Sequence, residues 1–205
     1  MERVPLGHLA LVMRHSRISG FFPLLQQGVW VICRVGVPLE DLLVNQWGIA
    51  ADYVTGRITT MFLNSRAVDD IKTSAVSGGS TVALSGAMPG LVGATMRAGG
   101  FYAAMRGAMT FREDDAGRSS GIDRVRVKLF NLLLKELGPG FLARGFIMTA
   151  GELAAFLEAG EFLAEDALLA ATLDNRPLPH GELAAALALL GEQELLLTVD
   201  FEETS

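Results

Sequence analysis

Apolar residues recur along this chain with two periods. HLALVMR at 8–14 and GVWVICRVG at 28–36 are alternating or β-rich runs of strand character, and the second puts Val29, Val31, Cys33 and Val35 on one face. In PLEDLL at 38–43 the spacing becomes helical: Leu39, Leu42 and Leu43 stand at i, i+3 and i+4, with Pro38 suited to the first turn. TTMFLNSRAV at 59–68 then reads as a strand entering a turn, SGGS at 77–80 as a further turn, and TVALS at 81–85 as a closing strand.

The same succession returns. RVRVKLF at 124–130 and RGFIM at 144–148 read as strands, Leu153, Phe156 and Leu157 repeat the helical spacing, and Thr149 with Glu152 forms a T-x-x-E capping box. LAATLDNRPL at 169–178 carries Leu173, Asp174, Asn175, Arg176 and Leu178 where the earlier stretch has Leu63, Asn64, Ser65, Arg66 and Val68, 110 positions before. LGEQ at 190–193 and LLLTV at 195–199 answer SGGS and TVALS. The pattern predicts an internal duplication, each copy ordered strand, strand, helix, strand, turn, strand. Asn64-Ser65 and Asp174-Asn175 are turn residues first. Arg66 and Arg176 are then matched surface positions, suited either to an anion or to pairing with Asp and Glu.

Over residues 8–86 and 124–200 the chain resembles the ubiquitin-like β-grasp superfamily, and within it the small sulfur-carrier proteins of thiamine and molybdopterin biosynthesis. The resemblance rests on VRVKLFNLLLKELG, on TAGELAAFL, and on TTMFLNSRAV and LAATLDNRPL, each followed by a last strand. It implies an α+β protein of two tandem β-grasp domains, each a mixed sheet holding one helix across its face. The expected organisation is a first copy at 1–86, a Gly/Met-rich connecting segment and linker at 87–123, and a second copy at 124–205. Those carriers act through a C-terminal Gly-Gly whose carboxylate is adenylated and converted to a thiocarboxylate. This chain ends DFEETS, so the second copy is not expected to carry sulfur in that way. Gly99 and Gly100, after Arg97 in MRAGG, form either a flexible linker or a processing site.

Composition then bounds the classes. With half its residues apolar and a fifth charged, the chain is outside the disordered class, and 205 residues suffice for one large domain or two small ones. One cysteine excludes an intramolecular disulfide framework, and the first twenty residues lack the marks of a signal peptide, so a cytoplasmic protein is expected. Residues 73–96 carry no charge, but their Gly, Pro, Ser and Thr read as strand, turn and loop rather than a membrane span. Residues 1–112 hold ten Lys or Arg against six Asp or Glu, and residues 113–205 hold seven against seventeen. Opposite signs favour contact between the halves or head-to-tail self-association, or else mark two independently solvated surfaces. The acidic total speaks against nucleic acid as a partner.

No catalytic constellation emerges. Cys33 shares an apolar strand face, the setting of a core thiol rather than a nucleophile. His8, His15 and His180 show no metal-ligand spacing and are expected at the surface, and Asp69 and Asp70 suit a solvated turn. GLVGATMRAGG matches neither phosphate-loop nor dinucleotide fingerprint. Residues 87–112 gather four methionines with Arg97, Phe101, Tyr102 and Arg106, either an adaptable binding surface or a cover for the first sheet. The leading expectation is a non-catalytic protein-binding or scaffold module without cofactor or metal, whose partner is another protein or a second copy of itself. The alternatives are a small-molecule protein or enzyme using 87–112 as a lid, and a carrier precursor processed after Gly100.

Overall fold

A computed structural model describes residues 6–86, 120–164 and 166–202. The fold is mixed α/β, and the chain divides into two compact units, Leu25–Glu136 and Met1–Leu24 with Leu137–Ser205. Each is built on five strands in a mixed sheet.

In the unit Leu25–Glu136, β2 (Val29–Val35) runs antiparallel to β8 (Gly121–Phe130), which is parallel to β7 (Thr81–Ser85). β7 is antiparallel to β4 (Thr60–Leu63), and β4 to β5 (Arg66–Ala67). Alternation sends Val29, Val31, Cys33, Val125, Val127, Leu129, Val82 and Leu84 into one buried layer. Leu39, Leu42 and Leu43 are fully buried as their spacing requires. The helical turn that carries the last two, Asp41–Gln46, is wound wider than an α-helix, with the Trp47 amide donating to the Leu42 carbonyl at 2.9 Å. Pro38 lies outside it: with Val37 it forms the short strand β3, paired to β6 (Ala75–Val76). Each fully buried leucine here contributes about 1.5–3 kcal/mol of transfer free energy.

In the other unit, β9 (Phe146–Thr149) is antiparallel to β12 (Glu194–Glu202), β12 is parallel to β1 (Gly7–Arg14), β1 is antiparallel to β10 (Leu168–Leu173), and β10 to β11 (Arg176–Pro177). The capping box is formed: the Thr149 hydroxyl accepts from the Glu152 amide at 3.2 Å and a Glu152 carboxylate oxygen accepts from the Thr149 amide at 3.2 Å. It starts the helix Ala150–Ala159, which buries Leu153 and Leu157. Phe156 on that helix is half-buried and joins Phe162 and Phe201 around the buried Phe21 at centroid distances of 5.3, 4.7 and 5.7 Å.

The pairing differs from the sequence-based expectation at the first strand of each segment. β1 was expected among the N-terminal strands, yet it fills the place between β12 and β10. β8 was expected with the C-terminal strands, yet it fills the place between β2 and β7. The β7–β8 pair is parallel, which requires a crossover of a dozen or more residues, and the stretch from 86 to 120 supplies that length. Matching TVALS with LLLTV therefore fails: β12 corresponds in its sheet to β8, and β1 to β7. Backbone contacts confirm the correspondence. The Asn64 amide donates to the Thr81 carbonyl and Asn64 Oδ1 accepts from the Thr81 amide, at 2.9 Å each. Asp174 makes the same two bonds with His8, at 2.8 Å each.

Candidate binding surface on the β2–β8 sheet

If the odd-numbered residues of β2 face the core, its even-numbered residues face away. Trp30, Ile32 and Arg34 lie on this second face, and register sets them opposite Arg126, Arg124 and Ile122 of β8. Lys128 continues the row beside Ala83 of β7, which in turn lies opposite Phe62 of β4. Ile32 is 40% exposed and Ile122 67%, values that mark an apolar surface open to contact. The Arg124 and Arg126 guanidinium carbons stand 5.5 and 5.9 Å from the Trp30 ring centroid, within cation–π range.

Several contacts hold this face in place. Arg126 Nε donates to the Gly28 carbonyl at 3.3 Å. Gly28 has φ 103°, and a Cβ there would come within 2.8 Å of Arg126 Nε and 2.9 Å of Lys128 Cγ, so glycine serves both the turn and the close passage of two cationic side chains. Arg34 is tied at its backbone to the Gln46 side chain, at 2.8 and 3.0 Å, and through its guanidinium to Asp41 at 3.3 Å. Hydrogen bonds from Asn45, then Gln46 and Arg34, hold the Asp41 carboxyl below the usual carboxylate range.

No carboxylate stands at the outward positions of β2, β8, β7 and β4 among the described residues; Asp123 lies opposite Cys33 in register. Arg124, Arg126 and Lys128 follow one another at every second residue, their Cα atoms about 6.7 Å apart, so three cationic side chains share one face of the strand. Three cationic side chains beside Ile32 and Ile122 suit an anionic partner with an apolar component.

A second polar cluster is structural in character. Arg57 Nε donates to Glu136 at 2.9 Å, its second guanidinium nitrogen and the Tyr53 hydroxyl also donate to that carboxylate, and both side chains come from the segment around the helix Ala51–Gly56. Arg57 and then Tyr53 hold the Glu136 carboxyl down at about 2, while burial and then Glu136 push the Tyr53 phenol up to about 12. A carboxylate so engaged is a poor base and a good clamp. Near Asp41 an open depression of about 300 Å³ is lined by residues including Pro38, Glu40 and Ala51.

The residues singled out in the sequence do not gather into one site. Arg66 and Arg176 are exposed and opposite Leu63 and Leu173, each just after a turn with two positive φ values: 51° and 66° at Asn64 and Ser65, 50° and 63° at Asp174 and Asn175. Arg97, Gly99, Gly100, Phe101, Tyr102 and Arg106, with the whole of 87–112, lie outside the described residues. Cys33 is buried, and burial followed by the Asp123 charge pushes its thiol up to about 11, which leaves it protonated at neutral pH. His15 is exposed, whereas His8 and His180 are half-buried, bonded to the Thr198 hydroxyl at 3.0 Å and to the Leu168 carbonyl. Asp69 and Asp70 are exposed, and Asp70 accepts from the Lys72 amide at 2.8 Å in a turn. Among the described residues no group of three or more His, Cys, Asp or Glu side chains could hold a metal, and no helix is long and apolar enough to cross a membrane.

Sequence reasoning missed Trp30, Arg124, Arg126 and Lys128. The signal was present in RVRVK, where every second residue is basic, but its meaning depended on knowing that β8 lies beside β2. Comparison with protein-family models, with curated proteins and with solved structures finds no match to this chain.

Proposed function

We propose that this protein is a non-catalytic binding module built from two β-grasp units, with the outward face of β2 and β8 as its docking surface for an acidic protein partner. The observation that carries the reading is the row Arg124, Arg126 and Lys128 beside Trp30 and two exposed isoleucines, with no carboxylate among the described outward residues of β2, β8, β7 and β4. Fixed cations supply attraction and orientation, and the aromatic and aliphatic side chains supply area that gains from leaving water. The β-grasp reading is supported by the five strands of each unit, which have the same order and directions, and by helical turns whose leucines enter each core. Its departure from the family pattern is the origin of β1 and β8 in opposite segments of the chain.

The test is fluorescence anisotropy of a labelled Asp/Glu-rich peptide containing leucine and phenylalanine, titrated with the intact protein. Binding that weakens with salt and disappears in Arg124→Glu/Arg126→Glu is expected. Equal binding by that variant, or binding of a single-stranded oligonucleotide in preference to the peptide, overturns the reading.

A further inference from the structure

We infer that the acidic partner of the β2–β8 face is a second copy of this chain, presenting the outward face of β12. This rests on the reading of the β2–β8 face as a docking surface. The two sheets offer the same frame with different charge. Val127 of β8 lies opposite Val29 and Val82, just as Leu197 of β12 lies opposite Phe146 and Leu9. Arg124 therefore corresponds to Glu194, Arg126 to Leu196, Lys128 to Thr198 and Phe130 to Asp200. Where one central strand carries three cations, the other carries Glu194, Asp200 and Glu202 on its corresponding side, all exposed. Arg14 lies opposite Glu202 and offsets part of that charge, while His8 is engaged with Thr198.

Side-chain chemistry and total charge agree with this. The outward positions around β12 are mixed: Ala10 and Ala170 on β1 and β10 are small, while Leu196 and Thr198 lie between Glu194 and Asp200, with Ile147 opposite Leu196 and Val12 opposite Asp200. Apolar Leu196 between carboxylates offers a counterpart to Trp30 between arginines. The unit Leu25–Glu136 contains twelve Lys or Arg and ten Asp or Glu, a net of +2, whereas the other unit contains five and thirteen, a net of −8, and together they give the chain's −6. Unlike faces meeting in this way form a heterologous contact, which propagates head to tail or closes a ring.

Sedimentation velocity over a concentration series, in about 0.05 M and about 0.5 M salt, tests the inference on the intact chain. The expected result is a mass above 21.9 kDa in low salt that returns to that value in high salt. Arg124→Glu/Arg126→Glu and, separately, Glu194→Lys/Asp200→Lys should each weaken self-association by about tenfold or more. Mixing the two variants should restore a complex, which general damage to the fold would not do. If charge reversal disturbs folding, seen by circular dichroism, Arg124→Gln/Arg126→Gln and Glu194→Gln/Asp200→Asn replace these variants, and loss of self-association in both is then the expected result. A monomer at every concentration that still binds the acidic peptide overturns the second copy as partner and leaves the docking surface standing. A monomer that binds no peptide overturns both, and self-association that persists in high salt or in the variants overturns the inference.

Discussion

Leu11→Ala and Leu129→Ala test whether β1 and β8 belong where the pairing puts them. Both leucines are buried, at 1% and 0% exposure, and both lie in strands held between two neighbours: Leu11 is opposite Ala171 and Val199, and Leu129 is opposite Leu84 on the β7 side. Truncating a fully buried leucine costs about 2–5 kcal/mol, part lost transfer energy and part residual cavity. Hydrogen exchange through local or sub-global opening should therefore accelerate by roughly 30-fold or more in the unit that loses the side chain. Peptide-level exchange by mass spectrometry should show Leu11→Ala loosening residues 146–149, 168–173 and 194–202, with 29–35 and 81–85 protected. Leu129→Ala should give the converse. Acceleration of 29–35 and 81–85 by Leu11→Ala, with 168–202 unchanged, would return β1 to the N-terminal copy and refute the exchanged pairing. Equal acceleration of both regions by either variant would count against the assignment of β1 and β8 to different units.

Ser65 has φ 66° without the side chain that eases this conformation in Asn, so Ser65→Gly should stabilise the protein by about 1 kcal/mol and raise its Tm; a lower Tm would show that the hydroxyl has a role of its own. Asn64→Ala should cost about 0.5–1.5 kcal/mol in a urea melt, because the exposed bond from the Thr81 amide is lost; an unchanged midpoint contradicts this. Glu136 titrates at about 2 when folded and near about 4.3 when unfolded. Its stabilising contribution is thus complete above the unfolded value and lost as pH falls toward 2, and Glu136→Gln should remove that acid dependence from the protection of residues 51–57. Cys33 has the opposite sign: its folded value of about 11 exceeds an unfolded value of about 8.5, so stability should fall as pH rises between them. Cys33→Ala should abolish that slope, and the native thiol should resist a disulfide reagent at pH values where the unfolded thiol reacts.

The hairpins and the capped helix were legible because their determinants are local. Consecutive left-handed residues admit few side chains, and Asn-Ser and Asp-Asn between strand runs point to such a turn. Thr149 and Glu152 cap one another across three residues, a distance visible in any sequence. The face of each strand was legible too, since alternation alone separates Val29, Val31 and Cys33 from Trp30 and Ile32. What alternation leaves open is the neighbour. HLALVMR has the same inward set, Leu9, Leu11 and Met13, whichever sheet receives it. The proposed docking surface stayed hidden for that reason, because Trp30 and Arg126 are far apart in sequence and meet only through the β2–β8 register.

The paired turns explain how strands from opposite segments fill equivalent places. Asn64 and Asp174 recognise the next strand through one amide and one carbonyl, at Thr81 in one case and His8 in the other. Those groups belong to every residue except proline in part, so the turn selects a strand by position and not by side chain. The buried layer then asks only for apolar residues at every second place, which Leu9 and Leu11 meet as well as Val82 and Leu84 do. Under such permissive rules the inward faces of the two sheets can remain alike while their outward faces diverge. The divergence is where function has room to arise: at corresponding positions on a common frame, one unit holds Arg124 and the other Glu194. A surface and a complementary surface can therefore be carried by two units that share one strand order.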